Sequence, residues 1–203
     1  MPSPFIVAAF DFDGTLTYRD SFMPFLRHTY GLGRFIRGSA CESLWIAAWL
    51  ARIINNEQCK GHMIARFLSG VPEVDVSAAA ARFAQARLPD MLRPDMLIRL
   101  QAHHAAGHCC VLVSASPRLV LAPWAAQNGI SAVIGTELEA EHGVLTGRYA
   151  GRNCWGEEKV RRLEAWLLGR KPDMLYAYGD THGDFPLLRR ADHAVYRGRD
   201  WAG

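Results

Sequence analysis

The stretch Phe5-Ile-Val-Ala-Ala-Phe-Asp11-Phe-Asp13-Gly14-Thr15-Leu16-Thr17 decides the fold. Six apolar residues rich in Phe, Ile and Val, closed by a glycine turn, suit a buried strand whose carboxyl end opens into a loop. Open α/β sheets place their ligands at such strand ends. Two aspartates one residue apart, beside a turn with its own backbone groups, offer oxygen ligands for a hard cation such as Mg²⁺ in one small volume.

Working outward, the pattern repeats twice. Cys109-Cys-Val-Leu-Val113 is a second apolar run and delivers Ser114 at its end. Met174-Leu-Tyr-Ala-Tyr178 is a third and ends in Gly179-Asp180-Thr-His-Gly-Asp184. Helices are expected between them: about Asp95 to Ala106, stopped by Gly107; Pro117 to Asn128, stopped by Gly129; and Glu157 to Leu168, which carries Lys159 in its first turn. Ala132-Val-Ile134 and Ala194-Val-Tyr196 read as short strands, Phe185 to Arg190 as a short helix, and Glu137 to Tyr149 as a β-hairpin turning at His142-Gly143. Strand, helix and strand in succession predict an α/β fold with a parallel, doubly wound sheet. All three polar strand ends then emerge on one edge. Asp11, Asp13, Asp180 and Asp184 would repel one another there unless a divalent cation or Lys159 compensated them, and Mg²⁺ suits oxygen ligands beside a phosphate.

Between the first and second of these strands the pattern is helical. Asp20-Ser21 can cap a helix beginning near Phe22, with Gly31 to Gly33 as its break, and Ser77 to Leu88 is an alanine-rich helix ended by Pro89. Leu44 to Ile54 is apolar on nearly every side, with Trp45 and Trp49 on one helical face. It is too short for a membrane span. The expected reading is a helix buried between others; a membrane-surface face is the alternative.

The 203 residues, half of them hydrophobic, suffice for one substantial core with a smaller insert. A formal charge of +3 without a long basic run gives no reason to expect nucleic acid, while a mildly basic surface suits an anionic substrate. Met1-Pro-Ser-Pro4 leads straight into the first strand and lacks the features of a signal peptide, and the five cysteines form no Cys-x-x-Cys pair. A cytoplasmic protein is expected.

The order Asp11-Phe-Asp13-Gly-Thr, Ser114, Lys159, then Gly179-Asp180 with Asp184 resembles the four motifs of the haloacid dehalogenase superfamily of phosphatases, over the whole chain. It is most similar to the branch that contains phosphoserine phosphatase. An Asp-x-Asp-Gly run also begins calcium-binding EF-hand loops, but a strand precedes this one and the loop's twelfth position is Phe22. The resemblance implies a Rossmann-like core from residues 1–16 and 95–203, with a helical cap at 17–94. It also implies Mg²⁺ dependence and an aspartyl-phosphate intermediate. In that scheme Asp11 is the nucleophile and Asp13 the general acid and base. Asp11, Asp13 (through its carbonyl) and Asp180 hold the metal, Ser114 and Lys159 bind the phosphoryl group, and Asp184 sits behind the metal and Lys159.

Asp20 falls where phosphoserine phosphatases use a glutamate to bind the amino acid, with Arg52 and Arg66 as candidates for the cap arginine. The expected substrate is a small phosphorylated metabolite of phosphoserine or histidinol-phosphate type. A membrane-lipid phosphate such as phosphatidylglycerophosphate, or a regulatory module that binds metal or phosphate without turnover, are the alternatives. His104 and His108 have the spacing of helical metal ligands, which Gly107 interrupts, and His182 lies within the last motif loop. Oligomeric state is not legible.

Overall fold

The computed structural model describes residues 4–202; Met1 to Ser3 and Gly203 lie outside the described residues, and with them most of the leading segment. Among the described residues eight strands and eight α-helices follow one another as β1 Ile6–Phe10, α1 Phe22–Cys41, α2 Ser43–Leu50, α3 Asn56–Leu68, α4 Glu73–Ala86, α5 Pro94–Ala105, β2 Cys109–Pro117, α6 Arg118–Gln127, β3 Ala132–Thr136, β4 Leu138–Glu141, β5 Val144–Tyr149, α7 Glu157–Leu167, β6 Met174–Gly179, α8 Phe185–Arg190, β7 His193–Tyr196 and β8 Arg199–Asp200.

The main sheet runs β3-β2-β1-β6-β7-β8, parallel except for β8. Its strand order reverses between β1 and β6, which makes their carboxyl ends the crevice of a doubly wound sheet. Phe10 pairs with both Leu112 and Tyr178, so Asp11, Ser114 and Asp180 all leave the sheet at one level. β1 is buried on both faces because its side chains alternate between two clusters. Ala8 and Phe10 enter one, and Val7 and Ala9 enter the other with Leu163, Leu175 and Leu187.

The larger cluster continues without a break from Phe10 into Phe22, Met63, Ile64 and Phe83 of the inserted helices. The insert leaves the sheet edge at Thr17 and returns at Leu92, and these two residues form an antiparallel bridge. α1 continues to Cys41 where the sequence suggested a stop; Gly31, at φ +74°, bends it instead of ending it. The hairpin β4–β5 turns through His142 and Gly143, both at positive φ, the backbone a tight hairpin requires. β8 pairs Arg199 and Asp200 with β7 and was not foreseen, because two polar residues carry no alternation.

One expectation is overturned. α2 is not buried between other helices: none of its residues is buried, and Leu44 and Leu50 stand largely in solvent. Among the described residues no helix is long and apolar enough to cross a membrane.

His104 and His108 do not pair as the spacing suggested, since the break at Gly107 turns His108 toward His103 instead. Their Nδ1 atoms lie 2.7 Å apart, and His103 Nε2 lies 2.7 Å from the Tyr178 hydroxyl in the core. Burial, then the neighbouring His108, pushes His103 down to about 4. An imidazole held neutral in the fold but free to protonate near pH 6.5 once unfolded costs stability as pH falls between those values. Urea unfolding is expected to show about 2 kcal/mol of stability lost to this residue from pH 7 to pH 5, and His103→Gln removes that share of the slope. An unchanged slope in the variant would locate the acid sensitivity elsewhere.

Candidate active site

The loop after β1 coils tightly from Phe12 to Leu16 around Gly14, at φ +84°, and returns Thr17 to the edge. This coil throws Asp11 and Asp13 in different directions. Asp11 is buried, and its Oδ1 accepts from Lys159 Nζ at 2.8 Å. The same ammonium, 2% exposed, donates to Asp184 Oδ1 at 2.5 Å. Asp184 is held from its other side: Oδ2 accepts from the amides of Asp180 and Thr181 and from the Thr181 hydroxyl at 3.0–3.1 Å. Both oxygens of Asp184 thus accept hydrogen bonds. Asp180 is freer, since among the described residues only the Thr15 hydroxyl, at 3.3 Å, donates to its carboxylate.

Asp11, Asp180 and Asp184 each turn one carboxylate oxygen into a space where these atoms lie within 4.8 Å of one another. Three carboxylates against one ammonium leave two negative charges without compensation. Burial, relieved in part by Lys159, raises Asp11 to about 7, and burial with Asp184 beside it raises Asp180. Asp184, although buried, is held below the ordinary carboxylate range by Lys159. An all-oxygen donor set with two surplus charges fits a divalent hard cation such as Mg²⁺. Gly14 belongs to the same fit, because a Cβ there would overlap Asp180 Oδ2. Gly14→Ala is expected to cost about 1–2 kcal/mol through its positive φ and to weaken Mg²⁺ binding by displacing Asp180, read by calorimetric titration. Parent-like affinity would show that Asp180 takes no part in holding the ion.

Asp13 faces the insert. Its Oδ1 accepts from the Ser21 amide at 2.8 Å and its Oδ2 from the Ser116 hydroxyl. Lys60 Nζ of α3 lies 4.0 Å from Asp13 Oδ2 and 2.5 Å from Asp20 Oδ2. Burial and the negative charge of Asp20 raise Asp13, which favours its protonated form. Asp20 Oδ1 accepts from the amides of Phe22 and Met23 and so starts α1. Burial works against the Lys60 charge, but Asp20 and Asp13 together raise Lys60 above its usual value.

The structure brings Asp11, Asp13, Asp180, Asp184 and Lys159 to one sheet edge, with Asp20 on its insert side. Ser114 is buried at the same edge, and its Oγ accepts from the Ser116 amide at 3.3 Å. Two residues escaped sequence reading. Ser116 reaches Asp13 because β2 runs on to Pro117 through an irregular register instead of ending at Val113. The period of two in Ser114-Ala-Ser116 was the available signal. Lys60 was legible as a charge on the apolar stripe of α3, beside Cys59, Met63 and Ile64. Neither Arg52, exposed after α2, nor Arg66, which donates to Cys41 Sγ at 3.3 Å, takes the place of Lys60. Arg161 and Arg162, the neighbours of Lys159, are both bound to Glu158. His182 packs edge-on against Trp155.

A family model described as haloacid dehalogenase-like hydrolase matches residues 8–189. The chain is similar to Protein CicA of Caulobacter vibrioides, at 37% identity over 195 residues that cover 95% of this chain and 86% of the relative. A histidinol-phosphatase of Neisseria meningitidis is 32% identical over 110 residues, 51% of this chain and 50% of the relative. Among solved structures, a protein of unknown function from Bordetella pertussis superposes with a TM-score of 0.82 at 27% identity, covering 96% of this chain and 90% of that one.

Proposed function

This chain belongs to the haloacid dehalogenase-like hydrolases, a phosphomonoester hydrolase by its relatives, and on that premise we propose that it cleaves phosphate esters through a covalent phosphoryl group on Asp11. The observation that carries the reading is the Lys159 bridge between Asp11 and Asp184 beside the half-satisfied carboxylate of Asp180.

Asp11 attacks phosphorus in line and splits one difficult displacement into two. Asp13, on the insert side and raised by burial, gives its proton to the departing alcohol oxygen. As a carboxylate it then takes a proton from the water that releases phosphate from Asp11. Ser116 and the Ser21 amide hold Asp13 in place for both steps. Lys159 and the Ser114 hydroxyl meet the charge that develops on the phosphoryl oxygens. Asp11, Asp180 and the carbonyl of Asp13 would hold Mg²⁺, which when bound would supply Lewis-acid stabilisation of that charge. Asp184 keeps Lys159 and the Asp180 loop in place.

Residues 1–16 and 95–203 form the catalytic core in this reading, and 17–94 the cap that selects the alcohol. Asp20 and Lys60 are the polar groups the cap turns toward Asp13. The name of the Neisseria relative makes histidinol phosphate, and the resemblance to the phosphoserine phosphatase branch makes phosphoserine, the first small phosphorylated metabolites to assay. The test is release of inorganic phosphate from a generic aryl phosphate with and without Mg²⁺. Absence of turnover across a broad phosphate panel would leave a metal- or phosphate-binding module as the function.

A further inference from the structure

α2 is an eight-residue helix, Ser-Leu-Trp-Ile-Ala-Ala-Trp-Leu, with no charged residue and no buried one. Leu44, Trp45, Trp49, Leu50 and Ile53 are 40–83% exposed, and Leu32 and Ile36, one turn apart on α1, are more than half exposed. These seven side chains lie within 22 consecutive residues of the insert. A monomeric protein in water does not gather large apolar side chains this way without something to cover them.

The charge around them identifies the cover. Residues 27–54 contain Arg27, Arg34, Arg37 and Arg52 against one acid, Glu42, a formal excess of +3 that equals the excess of the whole chain. Among the described residues none of the four arginines has an ion-pair partner, while Glu42 faces His62 at 3.5 Å. A second copy of the chain, placed symmetrically on this face, would bring unpaired arginines against arginines. Exposed Trp, Leu and Ile in a segment whose four arginines make no ion pair fit the interface of an anionic bilayer, where rings and alkyl groups enter the headgroup boundary and guanidinium groups meet lipid phosphates.

The same face leads inward. Trp49 is exposed on one side and on the other lines a cavity of about 610 Å³ with Phe35, Ile46, Met63 and, at its polar end, Asp20 and Lys60. Asp20, Met23 and Phe35 also border a second cavity, of about 640 Å³, that carries Arg19, Arg27 and Arg87 along with Asp90. The insert thus offers an apolar compartment and an arginine-rich one, both meeting beside Asp20, and Lys60 connects Asp20 to Asp13.

We propose that α1 beyond Gly31, α2 and the turn after it dock on an anionic lipid bilayer, and that the site takes from this surface an amphipathic phosphomonoester whose alkyl part lies in the cavity under Trp49. The substrate half rests on the phosphatase reading above; the docking half does not. α2 is about 12 Å long and lies on the bilayer without crossing it.

Flotation with vesicles of phosphatidylglycerol and phosphatidylcholine tests the docking directly. The full chain is expected to float with them, to float poorly with phosphatidylcholine alone, and to be released at about 0.5 M salt. Leu44→Asp with Ile53→Asp, both outside the two cavities, is expected to weaken binding at least about tenfold while turnover of a soluble aryl phosphate is retained. Failure of the parent to bind, equal binding by the double variant, or a dimer that the double variant abolishes without any vesicle binding would each overturn the docking. For the substrate, kcat/KM is expected to rise at least about tenfold from ethyl to dodecyl phosphate; a flat series overturns the cavity assignment. Loss of the phosphatase reading itself would appear as no turnover of any ester, with flotation unaffected.

Discussion

Asp11→Asn is expected to lower kcat for an aryl phosphate by about four orders of magnitude or more while the protein folds as the parent does. The amide keeps the shape of the carboxylate and an oxygen for Lys159 Nζ, which now lies 2.8 Å away, but it is too weak a nucleophile to open the first displacement. The substitution also removes a charge that burial disfavours. With Asp11 raised to about 7, its ionised form is a cost of the folded state in metal-free buffer above the ordinary carboxylate range. The variant is therefore expected to be no less stable than the parent at pH 8 without Mg²⁺. A thermal melt checks this, and phosphate release with excess enzyme reads the first turnover separately. Retention of more than about one part in a hundred of kcat would put the nucleophile elsewhere.

Lys159→Met is expected to damage stability as well as turnover. The methionine fills similar space but leaves Asp11 and Asp184, both buried, without the ammonium they share. Removing one partner of a buried ion pair typically costs about 3–5 kcal/mol, because the remaining charge is stranded. Losing a donor to the phosphoryl oxygens costs about 10²–10³ in kcat in addition.

The pH dependence separates this cause from a general packing defect. Asp184 is held below the ordinary carboxylate range by Lys159, so its stabilising contribution in the parent is present above that range and is lost as pH falls through the lowered value. In the variant Asp184 is relieved by protonation, and the gap between the two proteins is expected to narrow below about pH 4. Adding Asp184→Asn is expected to recover part of the lost stability, the coupling expected of groups in direct contact. Urea titrations of the parent, both single variants and the double variant supply the cycle. A loss below about 1 kcal/mol for Lys159→Met would mean that water already serves the two carboxylates.

Much of the architecture was legible because it rests on local chemistry. Apolar runs of five or six residues ended by glycine or a polar loop marked β1, β2 and β6, and a parallel sheet obliges their ends to share an edge. His142-Gly143 marked the hairpin by its demand for positive φ. Asp11, Ser114, Lys159 and Asp180 could be named because each stands at the end of an apolar run or in the first turn of a helix, and Asp13 and Asp184 because the order of motifs resembles the haloacid dehalogenase pattern.

The residues that escaped are those whose position depends on a distant segment. Ser116 touches Asp13 only because β2 continues past its apolar run, and nothing local to Cys109–Val113 says where pairing with β3 stops. Lys60 is 47 residues from Asp13 in the chain, and its approach depends on how α3 packs over the sheet edge. Asp20 was read as a cap for α1 and as a group for the substrate; the fold shows the cap and adds the ion pair with Lys60.

The sequence by itself determined the α/β class, the succession of apolar strands along the chain and, with the motif resemblance, the six polar groups assigned to their ends. Strand periodicity and turn chemistry act over a few residues and need no partner to be read. Only the tertiary structure decided which carboxylate keeps Lys159, which faces Lys60, and that α2 lies outside the core. A run such as Leu44 to Ile54 has the same composition whether protein or water lies against it. Burial is a property of what packs on a segment, and for α2 no other part of the described chain does so on its outer face.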